Sequence, residues 1–197
     1  MNKSPLTSEA MLARVRSMAE EIIQHEGGLV DHKNDRGGIT NYGISLRYAR
    51  GIGLDLDGDG DTDKDDIILV TPEKAIELYM EDFYWRPRIN RMPLILQPQL
   101  FDIAVNSGPV IPVLLLQRAV NRYAVTKPLI EDGVYGPKTR RGMEAVTQQF
   151  GLVNLNDEIV QERIQFYQQI VKRDRDQRIF LDGWLKRAKS FYMEVGA

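Results

Sequence analysis

Apolar residues at Met11, Val15, Met18, Ile22 and Ile23 recur at helical spacing and predict an amphipathic helix ending near residue 26. Ser8 is its expected cap, Glu9 suits the first turn, and Gly27 supplies the left-handed residue that stops it. A short β element is expected at 39–44, followed by helix-like patterning over 46–50. Thr71-Pro72-Glu73 is a helix start, and Ala75, Ile76, Leu78, Tyr79 and Phe83 give that helix a buried face running to Tyr84-Trp85. Pro87, Pro93 and Pro98 punctuate an irregular connector. Helical patterns then cover 99–107 and 110–123, resume near Lys138, and continue over 156–172 and 183–193. The fold class expected is mainly α, with one short β element.

Composition narrows the picture. A chain of 197 residues suffices for one substantial core or two small domains, and 43% hydrophobic with 27% charged residues is a soluble globular balance. With no cysteine, disulfides, thiolate metal sites and thiol nucleophiles are excluded, and His25 and His32 are too few for a histidine-rich metal site. No apolar run has the length of a signal peptide core or a membrane span, so synthesis in the cytoplasm is expected, with no membrane insertion. The net charge of −2 conceals a loop at 55–66 with seven Asp and one Lys, leaving the rest of the chain mildly basic. A mild positive bias suits an anionic polymer. The basic and aromatic density of a nucleic-acid binder is missing.

Within that loop, Asp55, Asp57, Asp59, Gly60, Asp61, Asp63 and Asp66 occupy positions 1, 3, 5, 6, 7, 9 and 12 of the calcium-loop pattern. Seven carboxylates in twelve residues repel one another unless a cation joins them. Structural Ca2+ is therefore expected, held by Asp55, Asp57, Asp59, Asp61 (through its carbonyl) and Asp66. The last ligand is Asp rather than the usual Glu, as in dockerin loops, and a dockerin partner module needs two such loops where this chain has one.

The other concentration of chemistry is the glycine-rich stretch 26–45. Glu26 lies four residues beyond Ile22, on the apolar side of the last helical turn, where the negative end of the helix dipole and desolvation both favour a protonated carboxyl. A carboxyl kept protonated near neutral pH serves as a general acid. Asp35 falls in a polar loop that keeps it ionised, and Thr40 offers a hydroxyl that can hold a water. These residues alone leave a plainer reading open, in which Glu26 is an exposed helix end and the glycines make a tight turn.

The runs Glu26-Gly27-Gly28, Asp35-Arg36-Gly37-Gly38-Ile39-Thr40 and Tyr42-Gly43-Ile44 resemble the start of glycoside hydrolase family 108, muramidases of the phage endolysin type. Tyr84-Trp85, Phe101-Asp102, Asn106-Ser107-Gly108, Asp132-Gly133, Gly136-Pro137-Lys138-Thr139 and Gly183-Trp184 extend the likeness to about Tyr192. The resemblance implies a lysozyme-like helical fold, with a catalytic region at 1–108 and a helical peptidoglycan-binding module at 109–197 packed on it as one body. It implies hydrolysis of the β-1,4 bond between N-acetylmuramic acid and N-acetylglucosamine, with Glu26, Asp35 and Thr40 catalytic and Tyr42 and Asn106 contacting sugar. Asp102 is expected to be a structural hydrogen-bonder, and Asp132 to Thr139 to shape a turn. The water-holding threonine suits inversion at the anomeric carbon. The partner expected is peptidoglycan, met by a monomer that a separate factor such as a holin releases to the wall. The competing readings are an inactive calcium-stabilised wall-binding module and a transglycosylase or chitinase-type enzyme.

Overall fold

The computed structural model describes residues 7–30 and 38–193, the side chains of His25 and Glu26 excepted. Asp35 and His32 lie outside the described residues. The chain divides into two compact units, Met1–Asp82 and Phe83–Ala197. Among the described residues no helix is long and apolar enough to cross a membrane.

The first unit opens with helix α1, Ser8–Glu26, whose stripe of Val15, Ala19, Ile22 and Ile23 is buried. Its cap is Thr7 rather than Ser8: the Thr7 hydroxyl accepts the Ala10 N–H at 3.2 Å, one residue earlier than the sequence suggested. A two-stranded antiparallel hairpin follows, β1 (Thr40–Asn41) and β2 (Ile44–Ser45), in the register Thr40–Ser45 and Asn41–Ile44. The Ser45 hydroxyl then caps helix α2, Leu46–Ile52, by accepting the Tyr48 N–H. The acidic loop leads into helix α3, Lys64–Leu69, which apolar periodicity alone does not mark.

Helix α4, Pro72–Leu78, starts at Thr71 and Pro72 as expected and packs on α1. The expected continuation to Trp85 is not α-helical. Residues Tyr79–Trp85 form a π-helix, a wider winding rare in proteins and frequent at functional sites. The boundary between the compact units falls inside it.

In the second unit the proline-punctuated connector holds a single 3₁₀ turn, Ile89–Arg91. Helix α5 runs Gln97–Ser107, two residues longer than predicted because Pro98 fits its first turn. Leu100, Phe101, Ile103 and Ala104 of α5 are fully buried. Helices α6 (Ile111–Arg122), α7 (Pro137–Phe150), α8 (Leu152–Arg173) and α9 (Arg178–Lys189) complete the bundle, with α8 packed against α6, α7 and α9. The last two start earlier than their apolar patterns suggest, at Leu152 and Arg178. This is a mainly α, lysozyme-like fold with a small β element and a helical C-terminal module.

Candidate functional site

Glu26 is the last residue of α1, one turn after buried Ile22. Gly27 follows at φ 77°, a left-handed backbone value that ends the helix and that a side chain would strain. Four residues beyond Glu26, Val30 makes an antiparallel bridge with Thr40, each N–H donating to the other's carbonyl at 2.8 Å. The Thr40 hydroxyl donates to the same Val30 carbonyl at 3.4 Å, a long contact that leaves it available to another partner. The chain leaving Glu26 thus returns to Val30 at Thr40.

The hairpin turn is made by Tyr42 and Gly43, at φ 48° and 77°. Two successive positive values define the type I′ turn that matches strand twist, and Asn-Gly is its ordinary sequence. Tyrosine in the first position bears a backbone strain of roughly 1–2 kcal/mol. Two contacts hold it there. The buried Tyr79 hydroxyl, in the first turn of the π-helix, donates to the Tyr42 carbonyl at 2.8 Å. Asn41, 6% exposed, turns inward from β1, and its Nδ2 donates to the carbonyls of Ile67 (3.0 Å) and Val70 (3.1 Å), with Ile68 at 3.4 Å. These carbonyls belong to the C-terminal end of α3, where no further helical turn supplies donors. Strand alternation then sets Thr40 on the face opposite Asn41.

The start of α3 is tied into the acidic loop. Asp63 caps it, and its Asp66 carboxylate returns to the Asp63 N–H at 2.8 Å, a complete capping box. The other Asp66 oxygen accepts the Leu56 N–H at 2.6 Å. These N–H groups from Asp63 and Leu56 hold the Asp66 carboxyl below its ordinary range. Asp55 accepts from the N–H groups of Gly58 and Gly60, at 2.6 and 3.1 Å, and Gly60 takes φ 95° at the pattern's glycine position. The carboxylates gather as two triads, Asp55–Asp57–Asp59 and Asp61–Asp63–Asp66, with ligand oxygens of each triad within 4.8 Å of one another. The Asp59 charge, with some desolvation, pushes the Asp61 carboxyl up. Asp57 is also raised: the Asp59 N–H pulls it down, but desolvation and the neighbouring carboxylates prevail. This all-oxygen, like-charged donor set fits a hard divalent cation such as Ca2+. Arg50, in the last turn of α2, donates to the Thr62 carbonyl at 3.0 Å and moors the loop.

In the second unit, Asp102 accepts from the fully buried Arg163 and, at 2.8–2.9 Å, from Arg187, consistent with the structural role expected of it. Arg163 Nε donates to the Tyr167 hydroxyl at 2.9 Å, and that hydroxyl donates to Asn106 Oδ1 at 2.7 Å. The loop at Asp132 is organised by Gln117, whose Nε2 donates to Asp132 (2.8 Å) and Thr139 (3.1 Å) while its Oε1 accepts the Gly133 N–H (2.9 Å). The Gln117 amide and the Val134 N–H hold the Asp132 carboxyl below its ordinary range. Thr40 and Tyr42 therefore share one hairpin of the first unit, the five residues expected to hold Ca2+ (Asp55, Asp57, Asp59, Asp61 and Asp66) fall within that unit's acidic stretch 55–66, and Asn106 belongs to the second unit. Asn41 and Tyr79 escape sequence reasoning. An amide flanked by Thr40 and Tyr42 at an inward strand position is the one local signal for Asn41.

Residues 19–108 match the family model for glycosyl hydrolase 108, and residues 111–189 match that of a predicted peptidoglycan domain. Together the two matches span most of the chain and support a glycoside hydrolase acting on peptidoglycan. In fold it is similar to the structure of SagA from Brucella abortus, with a TM-score of 0.66 at 24% identity over 93% of this chain and 98% of that one. No curated protein matches it in sequence.

Proposed function

We propose that the protein is an N-acetylmuramidase that cleaves the β-1,4 bond between N-acetylmuramic acid and N-acetylglucosamine. The observation that carries this reading is the Val30–Thr40 bridge, which returns a threonine hydroxyl to the chain just beyond the Glu26 end of α1. Glu26 donates the proton to the departing glycosidic oxygen, a step worth about 10²–10⁴-fold in rate. Asp35 remains ionised, and Thr40 orients the water that Asp35 activates, or both stabilise the oxocarbenium-like state. Tyr42 on the turn and Asn106 on α5 contact the sugars. Ca2+ occupies the 55–66 loop as a structural ion, held by Asp55, Asp57, Asp59, the Asp61 carbonyl and Asp66; it secures the loop and takes no part in bond cleavage. The enzyme acts as a monomeric endolysin of bacteriophage type, released to the wall by a separate factor.

Digestion of purified peptidoglycan, followed by reducing-end labelling and mass spectrometry, tests the bond. Muramic acid at the new reducing ends, initially as the inverted anomer by NMR, is expected. Glucosamine ends would identify a different glycosidase, anhydro-muramic ends a transglycosylase, and an absence of fragments the inactive wall-binding module.

A further inference from the structure

Thr40 can orient a water only if the hairpin that carries it is fixed, and two strands of two residues each are too short to be rigid alone. The fixing groups are side chains from outside the hairpin's own ladder. Asn41 is buried and spends its amide N–H groups on the carbonyl end of α3. Tyr79 holds the turn by donating to the carbonyl of Tyr42, whose left-handed backbone would otherwise relax. Because strand side chains alternate, a rotation that frees Asn41 from α3 also swings Thr40 on the other face.

We propose that Asn41 and Tyr79 are positioning residues for hydrolysis, holding the type I′ hairpin so that the Thr40 hydroxyl keeps its place. This rests on the muramidase reading above, in which Thr40 orients water. Neither residue touches substrate in this scheme. Their effect is geometric, and a displacement of about 1 Å at a reacting group is enough for a loss on the order of 10²-fold.

The test is a double-mutant cycle on peptidoglycan turnover with Thr40→Ala, Asn41→Ala, Asn41→Asp and Tyr79→Phe, measured well below the melting temperature of each. Asn41→Asp keeps the side-chain shape while replacing the N–H donors, and Tyr79→Phe removes one hydroxyl from a ring that stays packed. Either carries the test where Asn41→Ala folds poorly. The expected result is a fall in kcat of roughly 30–100-fold for the Asn41 variants and about 3–10-fold for Tyr79→Phe, with KM within about twofold of wild type. Combining either with Thr40→Ala should cost no more than Thr40→Ala alone, because the group being positioned is already gone. A merely structural role would give losses that multiply with that of Thr40→Ala, and this would overturn the proposal. Wild-type turnover in Asn41→Asp and Tyr79→Phe, with Thr40→Ala impaired, would overturn it and leave the muramidase reading standing. Full turnover in Thr40→Ala would instead remove the role of Thr40 itself, and the positioning proposal with it.

Discussion

The two compact units differ in what their polar side chains join. In the first, side chains are spent on backbone: Asn41 on the end of α3, Tyr79 on the Tyr42 carbonyl, Asp63 and Asp66 on the start of α3. In the second, side chains serve backbone too, as Gln99 and Asn156 do, but they also pair with one another across long helices, as in Arg163–Asp102–Arg187, Tyr167–Asn106 and Gln117–Thr139. Short strands and helices of six or seven residues expose many unpaired backbone groups, so loops and hairpins must be stapled by side chains. Long helices satisfy their own backbone, and their polar side chains are free to pin helix to helix. The first arrangement sets individual groups of the candidate site, and the second joins helix to helix.

The largest effect expected from breaking this contrast is at Asp102. Asp102→Ala strands the buried Arg163, one of whose Nη groups already has no hydrogen-bond partner. Removing one member of a buried pair costs about 3–5 kcal/mol, which denaturant unfolding will measure. A loss below about 1 kcal/mol would show the network to be dispensable and the contrast overdrawn.

A smaller effect is expected in the acidic loop. Added Ca2+ should raise the melting temperature, since an ion bound only by the folded state stabilises by about 2.7 kcal/mol at a hundredfold excess over Kd. EDTA should reverse the gain while sparing activity at low temperature. In the ion-free loop the Asp57 and Asp61 carboxyls are raised and take up protons above the ordinary 3.8 as pH falls; of the two only Asp57 would ligate through its carboxylate, so protons compete with Ca2+ there and the calcium-dependent gain should shrink at low pH. Asp66 has the opposite sign. Its folded-state pKa is depressed, so its contribution is complete above 3.8 and is lost only at lower pH, as the carboxylate is finally protonated. Melting curves with and without Ca2+, recorded from pH 7 down to about 3, check both signs. Curves that superimpose at pH 7 would remove the structural ion.

What the sequence made legible follows the same division. The apolar stripe of α1 and its Gly27 stop, the proline start of α4, the helix at 110–123 and the loop at Asp132 are local patterns and appear where expected. The π-helix was not legible, because over seven residues its wider period cannot be told from 3.6. Helix α3 was masked by acidic residues that suit a metal loop and a capping box equally well. Arg163 reads as a solvated position on a helical pattern, and its burial depends on Asp102, 61 residues away. Asn41 is the same case in the first unit, its partners lying 26 to 29 residues on. Local periodicity reports which face is apolar, and it is silent about a polar residue whose partner is distant.

Glu26 as the acid of a muramidase is tested by digestion of purified peptidoglycan by wild type and Glu26→Gln side by side. Glutamine keeps the shape and hydrogen bonding of a protonated carboxyl but has no proton to give. Wild type should release fragments ending in muramic acid, and Glu26→Gln should release them at least about 10²-fold more slowly with an unchanged melting temperature. Equal release by both proteins would contradict the assignment and return the acid to another carboxylate.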